Sequence, residues 1–126
     1  MIDVLLAEDN NDLAAALQLF IEMEPDMRVV ERAQYARDIM DLVDKSKPDL
    51  VLLDLWFPDG ESIGLIPQIS TIAPETKVVV LSVHDSPVLL RAARDAGAID
   101  YLVKGMDNED MLRRIRHCCS SLAGQK

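Results

Sequence analysis

The stretch KPDLVLLDLWFPDG, residues 47–60, decides the fold. Leu50–Leu55 within it is apolar except for Asp54. A continuous apolar run bounded by turn residues reads as a strand buried on both faces, as central strands of parallel sheets are. An ionised carboxylate inside such a run is costly unless it is paired or reaches solvent. At the mouth of the strand the same group is available for chemistry, so the surroundings of Asp54 become the question.

Outward from this strand the chain alternates in type. IDVLLA (2–7) reads as another buried strand. NNDLAAALQLFIEM (10–23) reads as a helix with Asn10 or Asn11 as cap and Leu13, Leu17, Phe20 and Ile21 on one stripe. MRVVERA (27–33) is a more polar strand, and Arg28, Glu31 and Arg32 mark it as an edge. RDIMDLVDK (37–45) is helical with Ile39, Met40 and Val43 inward. IGLIPQIST (63–71) is a weaker helix, interrupted by Gly64 and Pro67. KVVVLSV (77–83) is a strand. SPVLLRAARDAGA (86–98) is a helix capped by Ser86, with Pro87 in its first turn and Gly97 at its end. DYLV (100–103) is a strand, and residues 108–122 form a helix with acids in its first turn and Met111, Leu112, Ile115 and Leu122 inward. Strands alternating with helices along the whole chain predict a single α/β domain over 1–126, a doubly wound five-stranded parallel sheet with helices on both faces.

Composition narrows the function. The chain has 126 residues, 49% of them hydrophobic, and a net charge of −9. Its isoelectric point is about 4.5. So acidic a domain is a poor nucleic-acid binder by itself, since phosphate backbones demand lysine and arginine, but it suits cations. No apolar run is long enough to span a membrane, and the N-terminus lacks the basic region of a signal peptide. Cys118 and Cys119 are adjacent, so they neither staple a fold nor match a zinc site. Two thiols in a reducing cytoplasm are the expectation.

In open α/β sheets, ligands bind beyond the carboxyl ends of the strands. The polar residues at those ends are Glu8 and Asp9 after the first strand and Asp54 on the third. Ser82, with His84 beyond it, closes the fourth, and Lys104 follows the fifth. Three converging carboxylates repel, which raises the proton affinity of at least one. A hard cation such as Mg²⁺ relieves this. Lys104 brings a point charge suited to phosphate and Ser82 a hydroxyl donor. Carboxylate nucleophile, Mg²⁺, lysine and hydroxyl together suggest phosphoryl transfer to an aspartate. Taken singly, each has an ordinary reading: Glu8 and Asp9 as acids ahead of a helix, Ser82 and Tyr101 as strand residues, His84 and Lys104 as solvated side chains.

The sequence resembles the receiver domain of two-component response regulators over nearly its whole length. LLAEDN with Glu8 and Asp9, KPDLVLLDL with Asp54, Pro58 four residues later, VVLSV with Ser82, and AGAIDYLVKG with Tyr101 and Lys104 carry the resemblance. It implies a flavodoxin-like fold with strand order 2-1-3-4-5. It implies that Asp54 accepts a phosphoryl group from a histidine kinase's phosphohistidine. Asp9, Asp54 and the Trp56 backbone carbonyl would hold Mg²⁺, with Glu8 acting mainly through water. Lys104 would pair with the phosphoryl group, Ser82 would move to it, and Tyr101 would rotate inward. The face formed by the fourth helix, fifth strand and fifth helix would change shape, with homodimerisation on phosphorylation as one outcome. In this family the positions of Trp56 and His84 flank the path of hydrolytic water.

The resemblance also implies a cytoplasmic switch rather than an enzyme, with slow self-dephosphorylation. Many such receivers precede a helix-turn-helix DNA-binding domain, and LSVHDSPVLLRAARDAGAIDYLVKG is similar to regulators of that kind. SSLAGQK would then be a terminus or the start of a linker. Three positions depart from the pattern. Gly105 stands where a proline with a cis bond often follows the lysine, Ser62 stands where glycine is usual, and Trp56 is large for its place. Ser62 is a candidate cap for the third helix. Two further readings remain: a Mg²⁺-dependent aspartyl-phosphate hydrolase of the haloacid-dehalogenase type, and an unphosphorylated interaction module. The hydrolases typically place a second Asp where Trp56 stands, and an interaction module would be expected to lose part of the acidic set.

Overall fold

The structure, a computed structural model, describes the backbone of residues 1–123 and the side chains of residues 1–120. The expectations for Leu122 and for the end of the tail lie outside the described residues. Five parallel strands form the main sheet: β1 (Ile2–Ala7), β2 (Met27–Ala33), β3 (Leu50–Leu53), β6 (Lys77–Ser82) and β7 (Asp100–Val103). A two-residue-per-strand hairpin, β4 (Trp56–Phe57) and β5 (Gly60–Glu61), interrupts the numbering. The order is β2-β1-β3-β6-β7, so the five sheet strands follow 2-1-3-4-5 when counted by themselves. Five helices connect them: α1 (Asn11–Glu22), α2 (Ala36–Ser46), α3 (Leu65–Ile72), α4 (Pro87–Ala96) and α5 (Asn108–Ala123).

The continuous apolar runs explain the layers. Successive side chains of a strand point to opposite faces, so a strand covered on both sides must be apolar at every position. Val51 and Leu53 join Leu5, Ala7, Val78 and Val80 beneath α2, α3 and α4. Leu50 and Leu52 join Val4, Leu6, Val79 and Leu81 beneath α1 and α5. Each fully buried Leu or Ile contributes about 1.5–3 kcal/mol from burial, so truncating a residue such as Leu52 would be felt by the whole sheet. On α1 the inward stripe is Ala14, Leu17 and Ile21, while Leu13 and Phe20 are partly buried at its margin.

The local signals hold where expected. Asn10 Oδ1 accepts from the Leu13 N–H at 3.0 Å. Ser86 caps α4 through the Leu89 N–H, Pro87 opens that helix, and Gly97 ends it at φ +121°, where a Cβ would be strained. β2 is an edge strand and carries an irregularity where Leu5 pairs with Glu31 while Val4 pairs with Val29.

Two expectations shift. β3 stops at Leu53 rather than continuing to residue 55. The Asp54 N–H still bonds Ala7 O at 3.0 Å, but the Asp54 carbonyl turns to a side chain and the chain leaves the sheet. Ser62 is not the cap of α3: its hydroxyl points back to Asp54, and Gly64 precedes the helix without a side-chain cap. The Lys104–Gly105 bond is trans, and Gly105 takes φ +92°.

Among the described residues no helix is long and apolar enough to cross a membrane. Cys118 and Cys119 are not disulfide-bonded.

Candidate phosphoacceptor site

β1 and β3 are neighbours, and the chain leaves them in opposite directions, β1 toward β2 and β3 toward β6. Their connections therefore pack on opposite faces and leave a crevice beyond their carboxyl ends. Glu8 and Asp9 enter it from β1, Asp54 from β3, and Lys104 from β7. The acidic groups of Glu8, Asp9 and Asp54 offer ligand oxygens within 4.8 Å of one another.

Lys104 ties the set together. Its Nζ lies 2.7 Å from Glu8 Oε1 and 3.0 Å from Asp54 Oδ2. The three side chains are 16%, 3% and 11% exposed, so these contacts are made in a largely dry setting where charge interactions are strong. Glu8 Oε1 is buried and has the Lys104 ammonium as its ion-pair partner. Glu8 Oε2 accepts from the Asn10 N–H at 3.0 Å. Asp54 Oδ1 receives the Trp56 N–H at 3.4 Å, a long contact.

The electrostatics follow from burial and charge. Burial pushes the Glu8 carboxyl above its ordinary value, ahead of the opposing pull of Lys104 and the Asn10 N–H, and the charge of Asp54 adds to the rise. Burial works to lower Lys104, but its contacts with Glu8 and Asp54 outweigh this and hold the ammonium above its ordinary value. The site thus keeps a charged lysine against carboxylates that crowd one another.

Ser82 is 1% exposed and its Oγ accepts from the His84 N–H at 3.1 Å. Tyr101 lies inward, 7% exposed in the core beneath α2, α3 and α4, and its Oη donates to the His84 carbonyl at 2.7 Å. His84 itself is exposed, yet its ring meets Trp56 edge-on, with centroids 5.4 Å apart and planes at 72°. Trp56 is 41% exposed. A separate surface cavity of about 480 Å³, lined by Lys47, Asp49 and Thr76 among others, opens at the amino ends of β3 and β6, away from Asp54.

The partners of two residues, Asp59 and Ser62, escaped the reading of the sequence. Asp59 caps α2 from a distance, with Oδ1 accepting the Ala36 N–H at 2.9 Å and Oδ2 the Arg37 N–H at 3.0 Å. The local signal was an absence: Tyr35, before α2, offers no side-chain cap. The other is Ser62, whose Oγ donates to the Asp54 carbonyl at 2.5 Å. Nothing in the residues around Ser62 announces that bond.

The response regulator receiver domain model matches residues 4–116, and the chain belongs to that family. It is thus a receiver domain of the two-component response regulators, and the hydrolase reading has no support. The chain is 31% identical over 115 residues to the oxygen regulatory protein NreC of Staphylococcus haemolyticus (strain JCSC1435), covering 90% of this chain and 52% of that one. It is 28% identical over 116 residues to the transcriptional regulatory protein DesR of Bacillus subtilis (strain 168), covering 92% and 57%. The chain therefore spans about half the length of the curated relatives it matches. The fold is shared with a response regulator receiver domain protein from Methanospirillum hungatei JF-1, with a TM-score of 0.90, 21% identity, and 100% and 99% of the two chains covered. A LuxR-family two-component response regulator from Aurantimonas sp. SI85-9A1 gives a TM-score of 0.89 at 23% identity, covering 94% of this chain and 85% of that one.

Proposed function

We propose that this receiver domain takes a phosphoryl group onto Asp54 from the phosphohistidine of a histidine kinase and, so modified, controls an output that is transcriptional. The convergence of Glu8, Asp9, Asp54 and Lys104 in one crevice carries the reading. An Asp54 carboxylate oxygen attacks phosphorus, the P–N bond of the donor breaks with its electrons returning to the imidazole, and an acyl phosphate forms. Lys104 holds the attacking group in place and pairs with the phosphoryl charge that replaces the carboxylate's own. Ser82 is the hydroxyl within the fold that can turn to a phosphoryl oxygen, by giving up the His84 N–H.

The ligand set fits Mg²⁺: three carboxylates offer oxygens within 4.8 Å of one another, with no nitrogen or sulfur ligand among them. Asp9, Asp54 and the Trp56 carbonyl would hold the ion and Glu8 would reach it through water. When bound it neutralises charge on the transferred group. The domain acts as a phosphoacceptor, releasing phosphate slowly by its own hydrolysis rather than turning over substrate. It works in the cytoplasm, and a change of shape in the face of α4, β7 and α5 is its route to the output, with homodimerisation as one outcome. DesR is named a transcriptional regulatory protein, which supports that output.

Intact-mass measurement with acetyl phosphate and Mg²⁺ tests the reading. One added phosphoryl group is expected on the wild-type chain and none on Asp54→Asn. Equal labelling of the two would place the acceptor elsewhere.

A further inference from the structure

We propose that Ser62 is a positioning residue for phosphoryl transfer, acting through the backbone of Asp54. The inference rests on Asp54 being the acceptor.

Ser62 is 0% exposed and makes two bonds to the chain as it leaves β3. Its hydroxyl donates to the Asp54 carbonyl at 2.5 Å, and its N–H donates to the Leu55 carbonyl at 2.9 Å. Asp54 faces β1, where its N–H bonds Ala7 O, and its carbonyl lies one step past the last pair of that ladder, Ala7 with Leu53. Among the described residues no backbone N–H of a turn or loop reaches that carbonyl. A buried carbonyl must find a donor, and Ser62 supplies it.

The consequence is geometric. The bond fixes the plane of the Asp54–Leu55 peptide, and with it ψ of Asp54. Backbone dihedrals limit the rotamers open to a side chain, so the direction of the carboxylate is set as well. The same peptide leads to Trp56, whose N–H reaches Asp54 Oδ1 and whose carbonyl belongs to the proposed metal set. Eight residues separate Ser62 from Asp54, and the segment between them is the β4–β5 hairpin. Its turn is held at the far side by Asp59 on the amino end of α2. Ser62 therefore closes the base of a loop that is also anchored at its tip. Loss of the hydroxyl frees the Asp54–Leu55 peptide to rotate, and the Asp54 carboxylate with it, while removing no functional group from the crevice.

Time-resolved intact-mass labelling with acetyl phosphate at saturating Mg²⁺ separates this from simple destabilisation. The amplitude reads the folded fraction, and the rate constant reads the geometry of the folded site. Ser62→Ala and Ser62→Gly are expected to label on the order of tenfold more slowly, since small misplacements of reacting groups are costly. Ser62→Thr, which keeps the hydroxyl, is expected to recover most of the rate whatever it loses in amplitude. Wild-type rate constants in Ala or Gly would overturn the proposal, as would a Thr variant as slow as Ala. Failure of both Ala and Gly to fold would also overturn it, making the hydroxyl a requirement of the fold instead. A wild-type chain that does not label, or an Asp54→Asn chain that does, would remove the acceptor reading, and the inference with it.

Discussion

Tyr101 Oη and the backbone carbonyl of His84 are joined at 2.7 Å across seventeen residues of sequence. The same His84 gives its N–H to Ser82 Oγ at 3.1 Å. One exposed residue is therefore held at both backbone groups, once by the strand that ends in the hydroxyl and once by the edge strand of the sheet. Tyr101 lies inward in this structure, at 7% exposure. The inward ring fills core space beneath α4, and its hydroxyl finds an acceptor at the surface.

Tyr101→Phe keeps the ring and removes this bond. It is expected to lower stability by about 0.5–1.5 kcal/mol, measured by urea unfolding. A variant as stable as the wild type would mean that water replaces the tyrosine without loss.

Lys104→Ala should show a pH signature. Lys104 stands above its ordinary value of 10.5 because Glu8 and Asp54 overcome the effect of burial. Its stabilisation is then complete below pH 10.5 and is lost as pH rises through the higher folded value. The stability gap between wild type and variant, about 1–3 kcal/mol at neutral pH, should close in strong alkali. It should also narrow in acid, because Glu8, already raised by burial, takes up a proton in the fold before it does in the unfolded chain. Urea midpoints of the two proteins across pH check both limbs, and a gap that stays constant contradicts the pairing.

Asp9→Ala should lose most Mg²⁺ affinity, whereas Asp12→Ala, on the exposed face of α1, should keep it. Calorimetry measures both. Trp56 is the only tryptophan of the chain, so its emission reports the same titration from beside the crevice. Comparable losses in the two variants would dissolve the metal assignment.

Trp56 and His84 meet edge-on, 5.4 Å between ring centroids. On the proposed function they would flank the path of water to the acyl phosphate. Trp56→Ala opens that path and should shorten the phosphorylated lifetime several-fold. His84→Ala should do so less, because the indole remains. The decay of the phosphorylated mass gives both lifetimes, and an unchanged or longer one in Trp56→Ala defeats the shielding argument.

Asp59→Ala removes the acceptors of two N–H groups at the start of α2, so its urea midpoint should fall, with Asp59→Asn intermediate. The small burial of Asp59 works to raise its carboxyl, but the Ala36 and Arg37 N–H groups prevail and hold it below the ordinary 3.8. The cap's contribution is therefore present above pH 3.8 and is lost as pH falls through the lower folded value. A wild-type-to-Ala difference that persists in stronger acid would assign the effect to something other than the ionised cap.

The sequence by itself determined the layers and the place of the site. Runs such as Leu50–Leu53 and Val78–Leu81 are apolar at every position, and only a strand covered on both faces needs that. Asn10, Ser86, Pro87 and Gly97 announce their helix ends because caps are local contacts, made within a few residues. Glu8, Asp9, Asp54 and Lys104 were legible because each follows a strand, and the carboxyl ends of parallel strands share one edge. What only the tertiary structure decided is the set of partners across sequence. The lysine chose Glu8 and Asp54, Tyr101 chose the His84 carbonyl, Asp59 chose α2, and Ser62 chose the carbonyl of Asp54. Such bonds depend on orientations within tenths of an ångström, set by packing of elements far apart in the chain, and neither periodicity nor composition carries that information.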